Sequence, residues 1–277
     1  MVIPIDKPRQ WTSFQAVNKV KAVIRQLVVS GQWSVASSGC GSQLATGHQP
    51  PTTKIKIGHA GTLDPLASGL LLICVGKATK RIPELQDGVK VYTGTFVFGA
   101  TTPCYDLEQA IDHYYPYEHI SPALLDEVRH QFEGTIMQVP PMFSAVKVDG
   151  QRAYEYARRD DPTVTIQPKA VEIHSFEITG FRAGSDNPDS FSIPTNSVSQ
   201  AKNLYKNPLG EVPAHLPQAD FRVCCGKGTY IRSLARDFGA ALGSGAFLAS
   251  LRRERVGGYT LEQALTLDQV ADYFTKY

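Results

Sequence analysis

The chain has 277 residues, of which 42% are hydrophobic and 19% are charged, so a folded core is expected and global disorder is excluded. Its formal net charge of +2 permits a nucleic-acid partner without requiring one. The 5 cysteines form no C-x-x-C pair and no Cys/His group has metal-site spacing, so no metal is predicted. No signal peptide and no long apolar segment is present, which predicts a cytoplasmic protein with no membrane association.

An amphipathic helix is predicted near the start of the chain, after a short strand over Val2–Ile5. Thr12 and Gln15 have the spacing of a capping box, and apolar residues then recur at helical intervals to about Leu27. Residues 28–53 are rich in Ser, Gly, Gln and Pro, which predicts a surface insertion.

The rest of the chain mixes strands and helices without a regular alternation. Strands are predicted over Leu70–Val75, Lys90–Phe98, Val171–Phe181 and Phe221–Cys225. Helices are predicted after Ser121-Pro122, over Ile231–Leu242 and from Thr266, and residues 183–218 form a second predicted insertion. This mixture predicts an α+β fold with a mixed, largely antiparallel sheet.

Asp64 is the most conspicuous polar residue, in the segment GHAGTLDPLASGLLLICVGKATK over residues 58–80. Taken alone, Asp followed by Pro is typical of a helix N-cap and first turn. The nearby Gly58, Gly61 and Gly69 permit positive φ or the close approach of a ligand, which a simple cap does not require. The wider segment therefore favours a functional carboxylate.

This segment resembles the active-site motif of the TruB family of tRNA pseudouridine-55 synthases. Further segments resemble the family's other motifs in the same order: DKPRQWTS at 6–13, PPMFSAVKVDGQRAYEYARR at 140–159, GKGTYIRSLARDFG at 226–239 and GAFLASLRRERVG at 245–257. The resemblance implies the pseudouridine synthase fold, a single catalytic domain over 1–277, and a reaction that needs no cofactor.

Two departures from the family pattern are visible. Gln10 stands where the first motif usually has glycine, so a turn of different shape is expected there. Many bacterial members continue into a small C-terminal RNA-binding PUA domain, for which the residues after the last motif leave little or no room.

The reaction implied by the resemblance acts on a uridine in the tRNA T loop, at position 55. Its uracil is detached from ribose, rotated and rejoined through carbon. Asp64 matches the catalytic carboxylate, and its attack on ribose C1′, its attack on uracil C6 and its action as a base all remain open. Arg232 matches the partner that keeps this carboxylate ionised and oriented, with an ordinary solvated helix arginine as the alternative.

Other positions match family residues around the flipped-out uridine. Tyr92 would stack on the uracil and help to remove its C5 proton, and Tyr230 would hydrogen-bond near the nucleophile. Leu251 would form an apolar wall, His59 would fill the space of the flipped nucleotides, and Lys7 would support the site. For the two tyrosines, plain core packing is the alternative.

Cations cluster in three stretches of the sequence. They are Lys77, Lys80 and Arg81; Arg152, Arg158 and Arg159; and Arg252, Arg253 and Arg255. Each group could be a solvated face, but together they suffice for phosphate contacts to a folded RNA stem-loop. The partner predicted on this basis is the T stem-loop of tRNA, bound by a monomer.

Rival functions remain at this level. One is a guide-RNA-dependent pseudouridine synthase, although that branch relies on a C-terminal RNA-binding domain. Another is a non-catalytic tRNA-binding or tRNA-folding protein, which predicts degraded catalytic positions; Asp64, Tyr92, Tyr230 and Arg232 are all present. An unrelated Asp/His hydrolase is the remote alternative.

Overall fold

The computed structural model describes residues 1–30, 55–144, 146–148, 150–157, 159, 165–184 and 212–275. The chain divides into two compact units: unit 1 consists of residues 1–87 and 255–277, and unit 2 of residues 88–254. Most of the two predicted insertions, 28–53 and 183–218, lies outside the described residues. The single catalytic domain stays a prediction.

Unit 1 begins with strand β1 (Val2–Lys7) and helix α1 (Ser13–Val29). The predicted capping box is confirmed, because the Gln15 N–H donates to Thr12 Oγ1 at 3.1 Å and the Thr12 N–H donates to Gln15 Oε1 at 2.7 Å. The buried face of α1 consists of Ser13, Ala16, Val17, Val20, Ile24 and Leu27. Its burial stabilises the helix more than intrinsic propensity does.

Strands β2 (Ile57–His59) and β3 (Ser68–Val75) follow, and both β1 and β2 pair with β3 in antiparallel register. All residues of the apolar run Leu70–Val75 are buried, which explains why this strand shows no polar alternation. A 3₁₀ turn over Gly76–Arg81 leads into the short helix α2 (Ile82–Asp87).

Unit 2 contains nine strands among its described residues. In chain order they are β4 (Lys90–Phe98), β5 (Ala100–Thr101), β6 (His113–Tyr114), β7 (Gly134–Gln138), β8 (Lys147–Val148), β9 (Gln151–Arg152), β10 (Lys169–Arg182), β11 (Gln218–Cys225) and β12 (Ala246–Val256), whose last two residues belong to unit 1. The main sheet of this unit has the order β12-β4-β11-β10-β7, with antiparallel pairing from β4 to β7.

Phenylalanine rings form the centre of the unit 2 core. Phe96 on β4 stacks on Phe221 of β11 with a centroid distance of 4.0 Å. Phe238 lies 6.0 Å from Phe96 and 5.0 Å from Phe176, in tilted and edge-on geometries. Such offset aromatic pairs add to the stabilisation that comes from burying apolar area.

Three helices of unit 2 are described: α3 (Pro122–Arg129), α4 (Ala153–Ala157) and α5 (Ile231–Ala241). The predicted N-cap of α3 is confirmed, since Ser121 Oγ accepts the Leu124 N–H at 3.3 Å. Helix α5 ends at Ala241 and is followed by Gly243, whose φ of 69° is favoured by glycine after a helix.

The chain returns to unit 1 through β13 (Tyr259–Thr260), a 3₁₀ turn over Leu261–Gln263 and helix α6 (Gln269–Thr275). Helix α6 begins later than predicted, although Thr266 and Gln269 form the expected reciprocal hydrogen bonds at 2.9 and 3.3 Å. The α+β class is confirmed. Parallel pairing occurs at the single bridges Ile5–Leu265 and Asp106–Leu248.

In the part of the chain that the structure describes, no helix combines the length and the apolar character needed to cross a membrane.

The loop between β1 and α1 contains a left-handed glutamine. Gln10 has a φ of 68°, a conformation that glycine adopts readily and that costs a residue with a Cβ about 1–2 kcal/mol. Its N–H nevertheless donates to the Pro65 carbonyl at 2.7 Å. Glycine, which stands at this position in the motif that the segment resembles, would adopt this φ at lower cost.

Gln10→Gly should therefore raise the free energy of unfolding by about 0.5–1 kcal/mol, because relief of left-handed strain exceeds the extra entropy of unfolded glycine. Urea denaturation followed by tryptophan fluorescence measures the change. Gln10→Ala is the matched control and should give no gain, because alanine keeps a Cβ. A gain from alanine equal to that from glycine would contradict the strain explanation.

Candidate functional site

Asp64 lies in the loop between β2 and β3 and is half-buried. Pro65 and Leu66 form a turn, closed by the Ala67 N–H donating to the Asp64 carbonyl at 3.1 Å, and strand β3 follows at Ser68. No helix begins at Asp64, so the N-cap interpretation is wrong. The carboxylate instead projects from irregular backbone just ahead of a buried strand.

The DKPRQWTS segment holds both residues that flank Asp64. Ser13 Oγ donates to the Leu63 carbonyl at 3.1 Å and accepts the Leu63 N–H at 2.9 Å. On the other side, the Pro65 carbonyl accepts the Gln10 N–H at 2.7 Å. The first motif therefore fixes the main chain before and after the carboxylate.

Lys7 lies at the centre of this arrangement and is 0% exposed. Its Nζ donates to the carbonyls of Trp11 at 2.6 Å, Pro8 at 2.9 Å and Pro65 at 3.5 Å. A buried ammonium is tolerated only when acceptors surround it, so these carbonyls are drawn together around Nζ. This geometry agrees with a supporting role for Lys7.

The glycines around Asp64 occupy positions where backbone conformation or packing disfavours a Cβ. Gly61 and Gly69 have φ values of 97° and 100°, which side chains with a Cβ rarely adopt. A Cβ on Gly58 would lie 2.9 Å from Ile82 Cδ1. His59, on β2 opposite Ile73, is half-buried. The predicted approach of RNA to this loop stays a prediction.

In unit 2, Tyr92 lies on β4 and Leu251 on β12. Both are partly buried and pack against the phenylalanine-rich core. Tyr230 is the N-cap residue of α5, and its main-chain N–H donates to Gln138 Oε1 at 2.8 Å. All three residues are partly exposed: Tyr92 and Leu251 beside their core contacts, and Tyr230 at the start of a helix.

Arg232 lies in the first turn of α5 and is only 4% exposed, so the solvated-arginine interpretation is wrong. Nη1 donates to the Cys104 carbonyl at 3.2 Å and Nη2 to the Phe143 carbonyl at 2.8 Å. Nε lies 3.8 Å from Asp106 Oδ2, within ion-pair distance. These contacts give the guanidinium a fixed position.

Asp106 was missed by the sequence reasoning and is 6% exposed. Its Oδ1 accepts the Glu108 N–H at 2.9 Å and the Cys104 thiol at 3.0 Å. Burial, together with the charge of Asp106, raises the pKa of Cys104 to about 12, so the thiol is protonated at neutral pH and acts as a donor. Asp106 stands in TTPCYDLE, which has no local signature of pairing with a distant arginine.

The cation clusters differ in the surface they offer. Lys77, Lys80 and Arg81 are exposed, with Arg81 paired to Glu84 at 3.1 Å. In the third cluster Arg253 is only 2% exposed, so its inclusion among surface cations is wrong. Arg158 and the side chain of Arg152 lie outside the described residues.

No group of three or more His, Cys, Asp or Glu within the described ranges could hold a metal ion.

Two family models match the sequence. The model described as TruB family pseudouridylate synthase (N terminal domain) matches residues 50–205, more than half of the chain. The model described as tRNA pseudouridylate synthase B C-terminal domain matches residues 232–277.

Curated relatives extend this similarity. The tRNA pseudouridine synthase B of Flavobacterium johnsoniae is 45% identical over 266 residues, which cover 96% of this chain and 92% of the relative. The protein of the same name from Thermobifida fusca is 39% identical over 274 residues, covering 99% of this chain and 75% of the relative.

A solved structure shares the fold. A chain in the crystal structure of a Cbf5-Nop10-Gar1 complex superposes with a TM-score of 0.58 at 24% identity. The match covers 99% of this chain and 54% of the solved chain, so the present chain spans about half of that length. The predicted pseudouridine synthase fold is confirmed. The matched family models and the curated relatives show that the chain belongs to the TruB family of pseudouridylate synthases.

Proposed function

We propose that this protein isomerises a uridine in the T loop of tRNA, at position 55, to pseudouridine. The observation that carries the proposal is the Asp64 turn, which the first motif fixes on both sides through Ser13, Gln10 and Lys7. Relatives named tRNA pseudouridine synthase B, aligned over nearly the whole chain, support tRNA as the substrate.

In this proposal Asp64 is the catalytic carboxylate, acting as nucleophile or base on a flipped-out nucleotide. Such an isomerisation exchanges a C–N bond for a C–C bond within one nucleotide and involves no net oxidation. The fixed loop would hold the carboxylate where the reaction needs it, so that little reorganisation is required in the transition state.

Unit 2 supplies the other proposed groups. Arg232 serves the same reaction as a positioned cation, held by Asp106 and two carbonyls. Tyr92 is proposed to stack on the uracil and Leu251 to form an apolar wall, as the resemblance implies; each keeps the exposed portion that such a contact requires. Tyr230 hydrogen-bonds near the reacting groups.

Asp64→Asn should lower the rate of isomerisation by at least ~10³-fold, because the amide is neither a nucleophile nor a base. Tritium release from tRNA transcribed with C5-tritiated uridine measures the rate. Binding of tRNA should hold, because the substitution is nearly isosteric. Asp268→Asn, an exposed carboxylate of the same unit, is the matched control. The modified uridine is mapped, and release by the wild type that maps to uridines outside the T loop would contradict the assigned substrate position.

Asp106→Asn should lower the rate by about 10-fold and the free energy of unfolding by about 2 kcal/mol, because it removes the counter-charge of a buried guanidinium. Asp220→Asn is the control: its carboxylate also pairs with an arginine, Arg182, but side chains at that site are 38% and 51% exposed. A loss of at most about 1 kcal/mol in stability and no loss of rate are expected there, because this pair, although bidentate, is open to solvent. Equal effects of the two substitutions would refute a special role for Asp106.

Lys7→Met should lower the rate of isomerisation by about 10-fold while leaving tRNA affinity within about 2-fold, because Nζ holds the turn and is buried away from any phosphate. The assay is tritium release under single-turnover conditions, with a separate filter-binding measurement. Lys56→Met removes an exposed lysine from the same unit as a control. A loss of affinity with an unchanged rate would mean that Lys7 acts in binding.

A further inference from the structure

We propose that Gln138 is a positioning residue for the reaction, because its side-chain amide fixes the start of α5 and with it Tyr230. The inference rests on the proposed function and deepens it. Gln138 is the last residue of β7 and is 1% exposed. Neither the family motifs quoted above nor the composition singled it out.

Gln138 completes the cap of α5 from another element. In a capping box, a Glu or Gln at the third helical position accepts the N–H of the N-cap residue. In α5 that third position is Ser233, whose Oγ instead donates to the Val139 carbonyl at 2.8 Å. The Tyr230 N–H is accepted by Gln138 Oε1 at 2.8 Å, and the Tyr230 side chain makes no cap hydrogen bond of its own.

This hydrogen bond fixes the orientation of the amide. A main-chain N–H requires an acceptor, so the Gln138 oxygen must face Tyr230 and the Nε2 group must point away. Among the described residues, Nε2 has no hydrogen-bond partner. Burial of an unpaired amide costs free energy, and an apolar side chain would avoid that cost. The acceptor bond to Tyr230 is what glutamine provides and an apolar side chain cannot.

The segment from Gln138 to Phe143 forms further contacts with the same helix. The Val139 carbonyl accepts Arg236 Nη2 at 3.1 Å as well as the Ser233 hydroxyl. The Phe143 carbonyl accepts Arg232 Nη2 at 2.8 Å. Gln138 is the member of this segment that contacts the main chain of Tyr230, at the point where coil becomes helix. Loss of the Gln138 amide would release the main chain of Tyr230, while the bonds farther along α5 remain.

A freed N-cap residue can change the direction of its own side chain. Tyr230 is that residue, so its side chain depends on the backbone angles at the cap, whereas Arg232 keeps its bonds to the Cys104 and Phe143 carbonyls. Misplacement of a reacting group by about 1 Å can cost up to ~10²-fold in rate without a loss of substrate binding. The expected signature is therefore a lower rate of the chemical step at nearly constant tRNA affinity.

The experiment compares Gln138→Met, which removes the acceptor at similar size, with Gln138→Glu, which keeps an acceptor oxygen. Single-turnover tritium release and tRNA affinity are measured for both. Gln138→Met should lower the rate about 10-fold with affinity within about 2-fold, whereas Gln138→Glu should stay within about 3-fold of wild type. Ser244→Ala, which removes a 2.8 Å bond to the Pro116 carbonyl beyond the other end of α5, should change neither quantity.

Each other outcome is decisive. Wild-type rates in Gln138→Met, or equal rate losses in Met and Glu variants that are both fully folded, would overturn the role of the acceptor bond. A rate loss matched by the loss of folded, tRNA-binding molecules would reduce Gln138 to a structural residue. No release by the wild-type protein would refute the proposed function, and this inference with it. Wild-type release together with an unaffected Gln138→Met refutes the inference alone.

Discussion

A positive charge removed from water must be surrounded by oxygen atoms, and this constraint shapes the loops in both units. Lys7 and Arg232 are buried cations, and each is held by main-chain carbonyls from separate parts of the sequence. Burying a cluster of carbonyls costs little free energy when a cation donates hydrogen bonds to them. When the cation is lost, several buried acceptors are left unpaired. Loss of the cation therefore destabilises the loop that surrounds it.

The same principle explains why so much of the support comes from main-chain atoms. A carbonyl is available at every position, so Pro65 or Phe143 can accept a hydrogen bond irrespective of its own side chain. What the sequence must provide is the cation, a loop of the right length and residues that tolerate the required angles. Gln10 meets the last requirement poorly, with a φ of 68°, while Gly61 and Gly69 meet it at little cost.

Local patterns predicted the regular elements well and the loop contacts badly. The capping box at Thr12, the apolar run of β3 and the cap at Ser121 each depend on residues within a few positions, so the sequence reveals them. The N-cap interpretation of Asp64 failed because Asp-Pro also begins turns, and the residues that follow this turn, Ser68–Val75, form a strand. The motif resemblance selected Arg232, whereas without it an ordinary solvated helix arginine was the alternative.

Asp106 and Gln138 escaped prediction for a related reason: each acts through a residue far away in sequence, and neither position breaks a local rule. A buried polar side chain can be recognised only once the fold shows that it is buried and which donor it faces. Its effect on chemistry is indirect as well, because it holds the main chain or a guanidinium and does not itself react. Irregular backbone moves readily unless such contacts restrain it, and a catalytic carboxylate placed on a loop needs that restraint more than one placed on a strand. A reactive residue on a loop therefore implies buried supporting residues behind it, and these can be identified only from the structure.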